Sequence, residues 1–233
     1  MKKITLFVFA EKSEIDLDLN QNILNKTIFQ SNQMDLCIYT NLALKKDYAL
    51  LICGVGKVNA ASSLSIAIWK LKEEGFIVEN IINIGPVGSS QKNGKITEAF
   101  LINKAYFFDV DLRAIEGYKL GELPNNEYEF QTSNELNSNL NKFLKLELKN
   151  IVSADRFFSI NDTEIIEKNF NNCTLLDMEV CALIKVANTL KIKIASIKII
   201  SDNIFSSENY YITKKEDWKN KVLEVFLAIL KEI

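Results

Sequence analysis

The sequence predicts an α/β fold, a sheet with helices packed on its faces. Three observations predict it. Apolar runs rich in β-branched residues recur along the chain, helical periodicity fills much of what lies between them, and the two alternate to the end. No internal repeat, low-complexity tract or Pro/Gly-rich linker divides the 233 residues, so one domain spanning 1–233 is expected. At 48% apolar content, a chain of that length buries a sizeable core.

Buried strands are expected at Ile4–Ala10, Asp35–Thr40, Tyr48–Cys53, Ile77–Gly85, Ala99–Phe108, Asn150–Phe158, Cys173–Met178 and Ile192–Ser201. Lys57 to Glu74 reads as a helix with Val58, Leu64, Ile68 and Leu71 near one face and Gly75 as its stop. Asn161-Asp162-Thr163 offers caps for a helix over Glu164 to Phe170, and Glu179 to Leu190 carries another. Thr213 and Glu216 have capping-box spacing ahead of a last helix, Trp218 to Leu230. Pro86 and Pro124 mark loops, and the Asn/Lys-rich stretch Asn134 to Lys149 reads either as an exposed helix with its connections or as a flexible loop.

Charge and cysteine usage narrow the function. With 28 basic against 30 acidic residues, no global field draws the chain toward nucleic acid or an anionic membrane, and a small neutral ligand fits better. Cys37, Cys53, Cys173 and Cys181 have no CxxC spacing and lie in apolar segments, which points to a reducing cytoplasm. Met1-Lys2-Lys3 followed by Ile4 to Ala10 imitates a signal peptide, yet the run stops at Glu11-Lys12-Ser13-Glu14 with no cleavage pattern and reads as a first strand. Histidine is absent, which removes imidazole bases, His-dependent nucleophiles and His-ligated zinc. Proton transfer must therefore fall to carboxylates, Lys, Tyr or Cys.

Gly54-Val55-Gly56-Lys57 stands where a phosphate loop would, between strand and helix. The match fails in detail, because Leu51 and Val58 occupy places that a Walker loop needs as Gly and Ser/Thr. Asn59 likewise stands where a dinucleotide fingerprint wants its third glycine. A tight strand-to-helix turn is the plainer reading. Asn83 to Ser90, with Gly85 and Gly88, reads as a second glycine-bearing turn, serving either as a ligand site or as a turn alone. Glu14, Glu179 and Asp202 each follow an apolar strand. If those strands share one sheet and one sense, the three carboxylates converge and push one another's pKa values apart; singly, each is an ordinary cap or first-turn acid.

Taken in order, Gly54 to Ala61, Ile81 to Gly88, Phe108 to Asp111 with Gly117 to Pro124, Ile151 to Phe157, Asp177-Met178-Glu179 and Ile199 to Asp202 resemble bacterial 5'-methylthioadenosine/S-adenosylhomocysteine nucleosidases, over residues 1 to about 230. The resemblance implies the nucleoside phosphorylase/hydrolase fold, an α/β three-layer sandwich around a mixed, partly barrel-like central sheet, usually assembled as a homodimer. It implies hydrolysis of the N-glycosidic bond of 5'-methylthioadenosine, S-adenosylhomocysteine or 5'-deoxyadenosine, with no cofactor, no metal, no nucleic acid and no membrane partner. By the same resemblance Asp202 protonates adenine N7 and Glu14 orients or activates water, although the alignment there slides to Glu11. Glu179 and Met178 contact the ribose, Phe157 stacks on the purine, and the backbone at Phe158 meets the base edge. Val87 and Ser201 belong to the substrate-binding set, and Leu112 and Pro124 reach across the dimer toward the neighbour's 5'-alkylthio pocket.

The chain departs from the pattern at Pro86, where the family generally has serine, and at Lys198, where it commonly has arginine. Proline offers no hydroxyl or N–H, and lysine keeps the charge but loses the planar fork. The implied site holds its water differently or works more slowly. Thr97-Glu98 replaces a usual Gly-Asp, read as structural. Two rival functions remain at this level. A phosphorylase would need an arginine clamp that a chain with only Arg113 and Arg156 is poor in, and a purine-binding relative would keep the fold without the reaction.

Overall fold

The computed structural model describes residues 1–15, 23–170 and 172–232. Among the described residues, ten strands form one mixed sheet: β1 (Lys2–Phe9), β2 (Ile23–Gln30), β3 (Asp35–Asn41), β4 (Lys46–Ile52), β5 (Phe76–Ser89), β6 (Ala99–Phe107), β7 (Phe130–Gln131), β8 (Glu147–Ser153), β9 (Cys173–Asp177) and β10 (Lys193–Asn203). The order is β10-β6-β8-β9-β5-β1-β4-β3-β2, with β7 paired to β6 off this path, and a further pairing of β10 with β5 closes five of the strands into a hydrogen-bonded ring. The helices are α1 (Lys57–Glu73), α2 (Asn134–Leu144), α3 (Thr163–Asn169), α4 (Val180–Thr189), α5 (Tyr210–Thr213) and α6 (Lys215–Glu232).

Side chains of β1 alternate between the two faces, as the two-residue strand period requires. Ile4, Leu6 and Val8 pack with Leu64, Ala67 and Leu71 of α1 and Leu183 and Ile184 of α4. Phe7 and Phe9 face the other way, onto Trp218, Val222 and Phe226 of α6 and Leu136 and Leu140 of α2. Helix layers on both faces explain why the central strands are apolar throughout rather than alternating. The three-layer α/β expectation holds.

Several local readings change. Helix α1 buries Ala60, Leu64, Ala67 and Leu71, whereas Val58 is 77% exposed. Gly75 follows its C-cap at φ +85, as a stop glycine should. Asn134–Leu144 is a helix, capped by Ser133, whose side chain accepts from the Leu136 N–H. Thr213 does not cap the last helix; it ends α5, and α6 begins at Lys215. Helix α3 is entered through a 3-10 turn, Ile160–Asp162, held by a Ser159/Asp162 capping box. Asn150–Phe158 is a strand only as far as Ser153.

The largest revision concerns β5, which runs straight through Pro86 and the expected turn to Ser89. Its pairing with β1 ends at Asn83 and its pairing with β9 begins at Gly88. Between them only β10 is alongside, so one edge of the strand is open, the situation in which a strand tolerates proline.

Thr97 sits at φ +73 with its N–H donating to the Ile200 carbonyl (2.9 Å). A β-branched residue there costs about 1–2 kcal/mol, partly offset by the greater entropy that glycine has in the unfolded chain. Thr97→Gly is expected to stabilise the fold by about 0.5–1 kcal/mol, a rise of a few degrees in the thermal midpoint. A lower midpoint would show that the threonine side chain contributes more than its backbone strain removes.

Candidate active site

Strands β1, β5 and β10 are parallel, so their carboxyl ends open on one edge of the sheet. A cleft of ≈ 270 Å³ lies there, against the open stretch of β5, and its walls carry Glu14, Glu179 and Asp202. Strand β9 meets β5 antiparallel, so the condition of one shared sense under which the three carboxylates would converge is not met by the strand before Glu179. That carboxylate arrives because the far end of the long β5 reaches over to β9.

Each acid is held by a local device. Glu14 closes a 3-10 turn, Lys12–Glu14, directly after β1 and folds back to accept from the Ala10 N–H (3.0 Å), which leaves it 4% exposed. Glu179 occupies the N-cap position of α4 without capping it; its Oε1 accepts from Gly56 N–H (2.8 Å). Asp202 Oδ1 accepts from the Ser201 hydroxyl (2.7 Å). Two glycines of β5 make room. A Cβ on Gly85 would lie 3.3 Å from Glu14 Oε2, and one on Gly88 would lie 3.1 Å from Asp202 Oδ2. The Gly-Pro-Val-Gly stretch is therefore a strand that carboxylates lean on, not a turn.

Behind the cleft, Lys198 is 2% exposed and pairs with the equally buried Asp177 (3.1 Å). Asp177 is fixed in turn by the Ser153 hydroxyl (2.6 Å) and the Val180 N–H (3.0 Å). Glu14, Asp177 and Glu179 thus share one ammonium. Full ionisation would leave excess negative charge in a dry site, so protons are retained. Burial pushes Glu14 up to about 8 against the pull of Lys198, with the charge on Glu179 adding to the rise. Glu179 is pushed up to about 7 by burial and then by Asp177, against Lys198 and the Gly56 amide. Burial works to lower the Lys198 pKa, but Asp177, Glu179 and Glu14 together hold it above its ordinary value. Burial also raises Asp202, opposed by the Ser201 hydroxyl.

Pro86, Val87, Phe157, Phe158, Met178, Lys198 and Ser201 line the same cleft. Phe157 is 81% exposed, its ring presented at the opening. The Phe158 ring is fixed by Arg156, whose guanidinium lies 5.3 Å from it and 5.1 Å from Phe108 while bonding Asp162 (2.6 Å). Leu112 and Pro124 do not line this cleft; Leu112 is half-buried and Pro124 exposed, on the segment leaving β6. Glu11 and Glu14, interchangeable in the sequence, are separated by the turn: Glu14 lies buried beside Lys198, and Glu11 is exposed at the mouth. Sequence reasoning gave no role to Asp177 as the lysine's partner, nor to Ser153, Arg156 or Tyr211. A charged residue ending an apolar strand was the available signal for Asp177, but its partner lies on a strand remote in sequence.

The Gly54–Lys57 segment is the tight turn, with Gly54 at φ +81 and Gly56 at φ +93. Its amides at the start of α1 are taken by side chains: Gly56 N–H donates to Glu179 and Lys57 N–H to Asp155 Oδ1 (2.7 Å). A phosphate would have to displace two carboxylates to use them.

Comparison with known proteins identifies the family. Residues 6–233 match the family described as the phosphorylase superfamily. The 5'-methylthioadenosine/S-adenosylhomocysteine nucleosidase of Buchnera aphidicola subsp. Acyrthosiphon pisum (strain APS) is 30% identical, with 84% of each chain covered. That of Desulfotalea psychrophila is also 30% identical, over 83% of this chain and 85% of the relative. In fold, the chain superposes on a Helicobacter pylori nucleosidase of that name bound to butyl-thio-DADMe-Immucillin-A (TM-score 0.87, 21% identity, 100% and 99% covered). It superposes as well on futalosine hydrolase of Helicobacter pylori (TM-score 0.87, 20% identity, 100% and 98% covered), so the fold by itself does not choose between nucleosides. The sequence relatives do make that choice: the chain belongs to the phosphorylase superfamily and, within it, to the 5'-methylthioadenosine/S-adenosylhomocysteine nucleosidases.

Proposed function

We propose that the protein hydrolyses the N-glycosidic bond of 5'-methylthioadenosine and S-adenosylhomocysteine, releasing adenine and the thioribose. The observation that carries the mechanism is the convergence of Glu14, Glu179 and Asp202 on one cleft, each with its pKa displaced upward. Breaking the C1'–N9 bond builds negative charge on the departing base and positive charge on the sugar ring, and the site gains by neutralising the first and shielding the second.

Asp202, whose neutral form burial favours over the ionised one, gives a proton to N7 as the C1'–N9 bond breaks. Glu179 accepts from the sugar hydroxyls and places negative charge near the oxocarbenium-like ring. Glu14, once ionised, takes a proton from the attacking water, whose oxygen bonds to C1'. Lys198 opposes the upward push of burial on Glu14 and Glu179 and so keeps them within reach of ionisation. Pro86 contributes no donor beside the water, so the water is held mainly through the proton it donates to Glu14. Phe157 and Phe158 cover the purine, and Met178, Val87 and Ser201 complete the wall. We assign Leu112 and Pro124 to a neighbouring copy in a homodimer. Both lie outside their own chain's cleft, as residues that serve a neighbour's pocket would.

The occupied amides of the α1 turn favour water over phosphate as nucleophile. Purified protein is expected to release adenine and free thioribose from both substrates, at rates independent of added phosphate, as followed by chromatography. A sugar phosphate product would replace hydrolysis by phosphorolysis, and bound nucleoside without adenine release would leave a binding protein.

A further inference from the structure

Along the carboxyl edge of the sheet, the strands lie in the order β10, β5, β1, β4, β3, spaced by about 4.8 Å. Asp202 and Gly88 stand over the first two, Glu11 and Glu14 follow β1, and Val55 follows β4. A nucleoside with its base at Asp202 and its sugar over Glu14 and Glu179 therefore sends its 5' substituent toward Glu11 and Val55. These residues, with Ala10, are shared between the cleft and a second cavity of ≈ 390 Å³ that extends over β4 and β3.

The second cavity is built for charge. Glu11 stands at its entrance, with the hydroxyl of Tyr211 donating to its carboxylate at 3.4 Å, and Tyr211 is itself stacked on the buried Trp218 ring (5.3 Å). Lys12 stands beside it, ion-paired to the half-buried Asp35 and so tethered at the cavity wall. Gln33 adds a neutral amide to the lining. An anionic and a cationic side chain thus lie side by side where the 5' chain of the substrate would emerge, and a methylthio group is too short and too apolar to use either.

Resting on the nucleosidase reading above, we propose that this adjoining cavity is a subsite for a zwitterionic amino-acid tail carried on the 5' sulfur. Glu11 accepts from the tail's ammonium, and Lys12 with the Gln33 amide binds its carboxylate. The chain is accordingly tuned to S-adenosylhomocysteine over 5'-methylthioadenosine.

The test measures kcat/KM for both substrates and for two analogues of S-adenosylhomocysteine, one lacking the amino group and one lacking the carboxylate. Glu11→Gln is expected to lower the ratio of S-adenosylhomocysteine to methylthioadenosine activity about tenfold, the size of a lost charge-assisted hydrogen bond at a partly solvated site. Because both substrates share one catalytic centre, the ratio cancels any effect of Glu11 on Glu14. With unaltered protein, the amino-lacking analogue is expected to fall by about the same factor and the carboxylate-lacking one by roughly threefold. An unchanged ratio in Glu11→Gln, or analogues cleaved as fast as the parent, would overturn the tail subsite while leaving the nucleosidase reading in place. Failure of unaltered protein to cleave either substrate would overturn that reading and the subsite with it.

Discussion

Asp202→Asn is expected to reduce adenine release by about 10²–10⁴-fold, the usual worth of a positioned general acid. Asparagine is nearly isosteric and still accepts the Ser201 hydroxyl that now bonds Oδ1, so the fold is spared. What disappears is the proton. Burial raises the Asp202 pKa above its ordinary value; the ionised form is therefore the disfavoured one in the folded protein. By linkage, this group's contribution to stability is present below its unfolded pKa and is lost as pH rises through the folded one. Neutral asparagine avoids that loss, and the melting temperature of the variant at pH 8 should equal or exceed that of the parent. The pairing of near-normal melting with collapsed activity marks an acid that touches the reacting base. Full activity in Asp202→Asn would remove Asp202 from that role and send the search to Ser201 or the backbone of β5.

The pH profile provides a second view of the same chemistry. Glu14, pushed up to about 8, is mostly protonated near pH 7 in the free enzyme, so kcat/KM should climb as pH rises toward 8, and a profile already flat from pH 6 would take Glu14 out of the role of base.

The strands and helices most easily read from the sequence are those buried on both sides. β1, β4 and β10 advertise themselves by continuous apolar runs, and the termini of α1 by its glycines. β2 did not, because Ile23–Gln30 lies at the sheet edge with most of its residues exposed and shows no period-two pattern. Pro86 reads as a loop marker because proline cannot donate to a sheet ladder, yet β5 has an open edge there that needs no donor. In the site, Glu14, Glu179 and Asp202 were visible because each interrupts apolar sequence at a strand end. The Asp177–Lys198 pair was not, since a contact between β9 and β10 depends on how the sheet curls shut, and nothing local in either segment encodes it.

Lys198→Met is expected to cost about 3–5 kcal/mol, the penalty for stripping the partner from a buried charge. The lysine ammonium pairs with Asp177 and pulls down the pKa of both Glu14 and Glu179. Methionine fills much the same volume, so packing is largely conserved and the loss is electrostatic. Its pH dependence follows from the sign of the shifts. Glu14 and Glu179 already stand above their unfolded value of 4.5, at about 8 and about 7. Removing Lys198 removes a lowering influence from both, so each climbs further and the folded state holds its protons over a wider range. The stability lost as pH rises from 4.5 through those values grows accordingly. Denaturation of Lys198→Met should show a smaller deficit at pH 5.5, where the glutamates are protonated in any case and only the stranded Asp177 counts, than at pH 8.5. The rising limb of kcat/KM moves to higher pH for the same reason. Lys198→Arg, which restores the residue common in the family and keeps the charge, should recover most of the stability and return the limb toward its original position. An equal deficit at both pH values, unrelieved by arginine, would mean that Lys198 acts through packing and that the carboxylates around it are balanced in some other way.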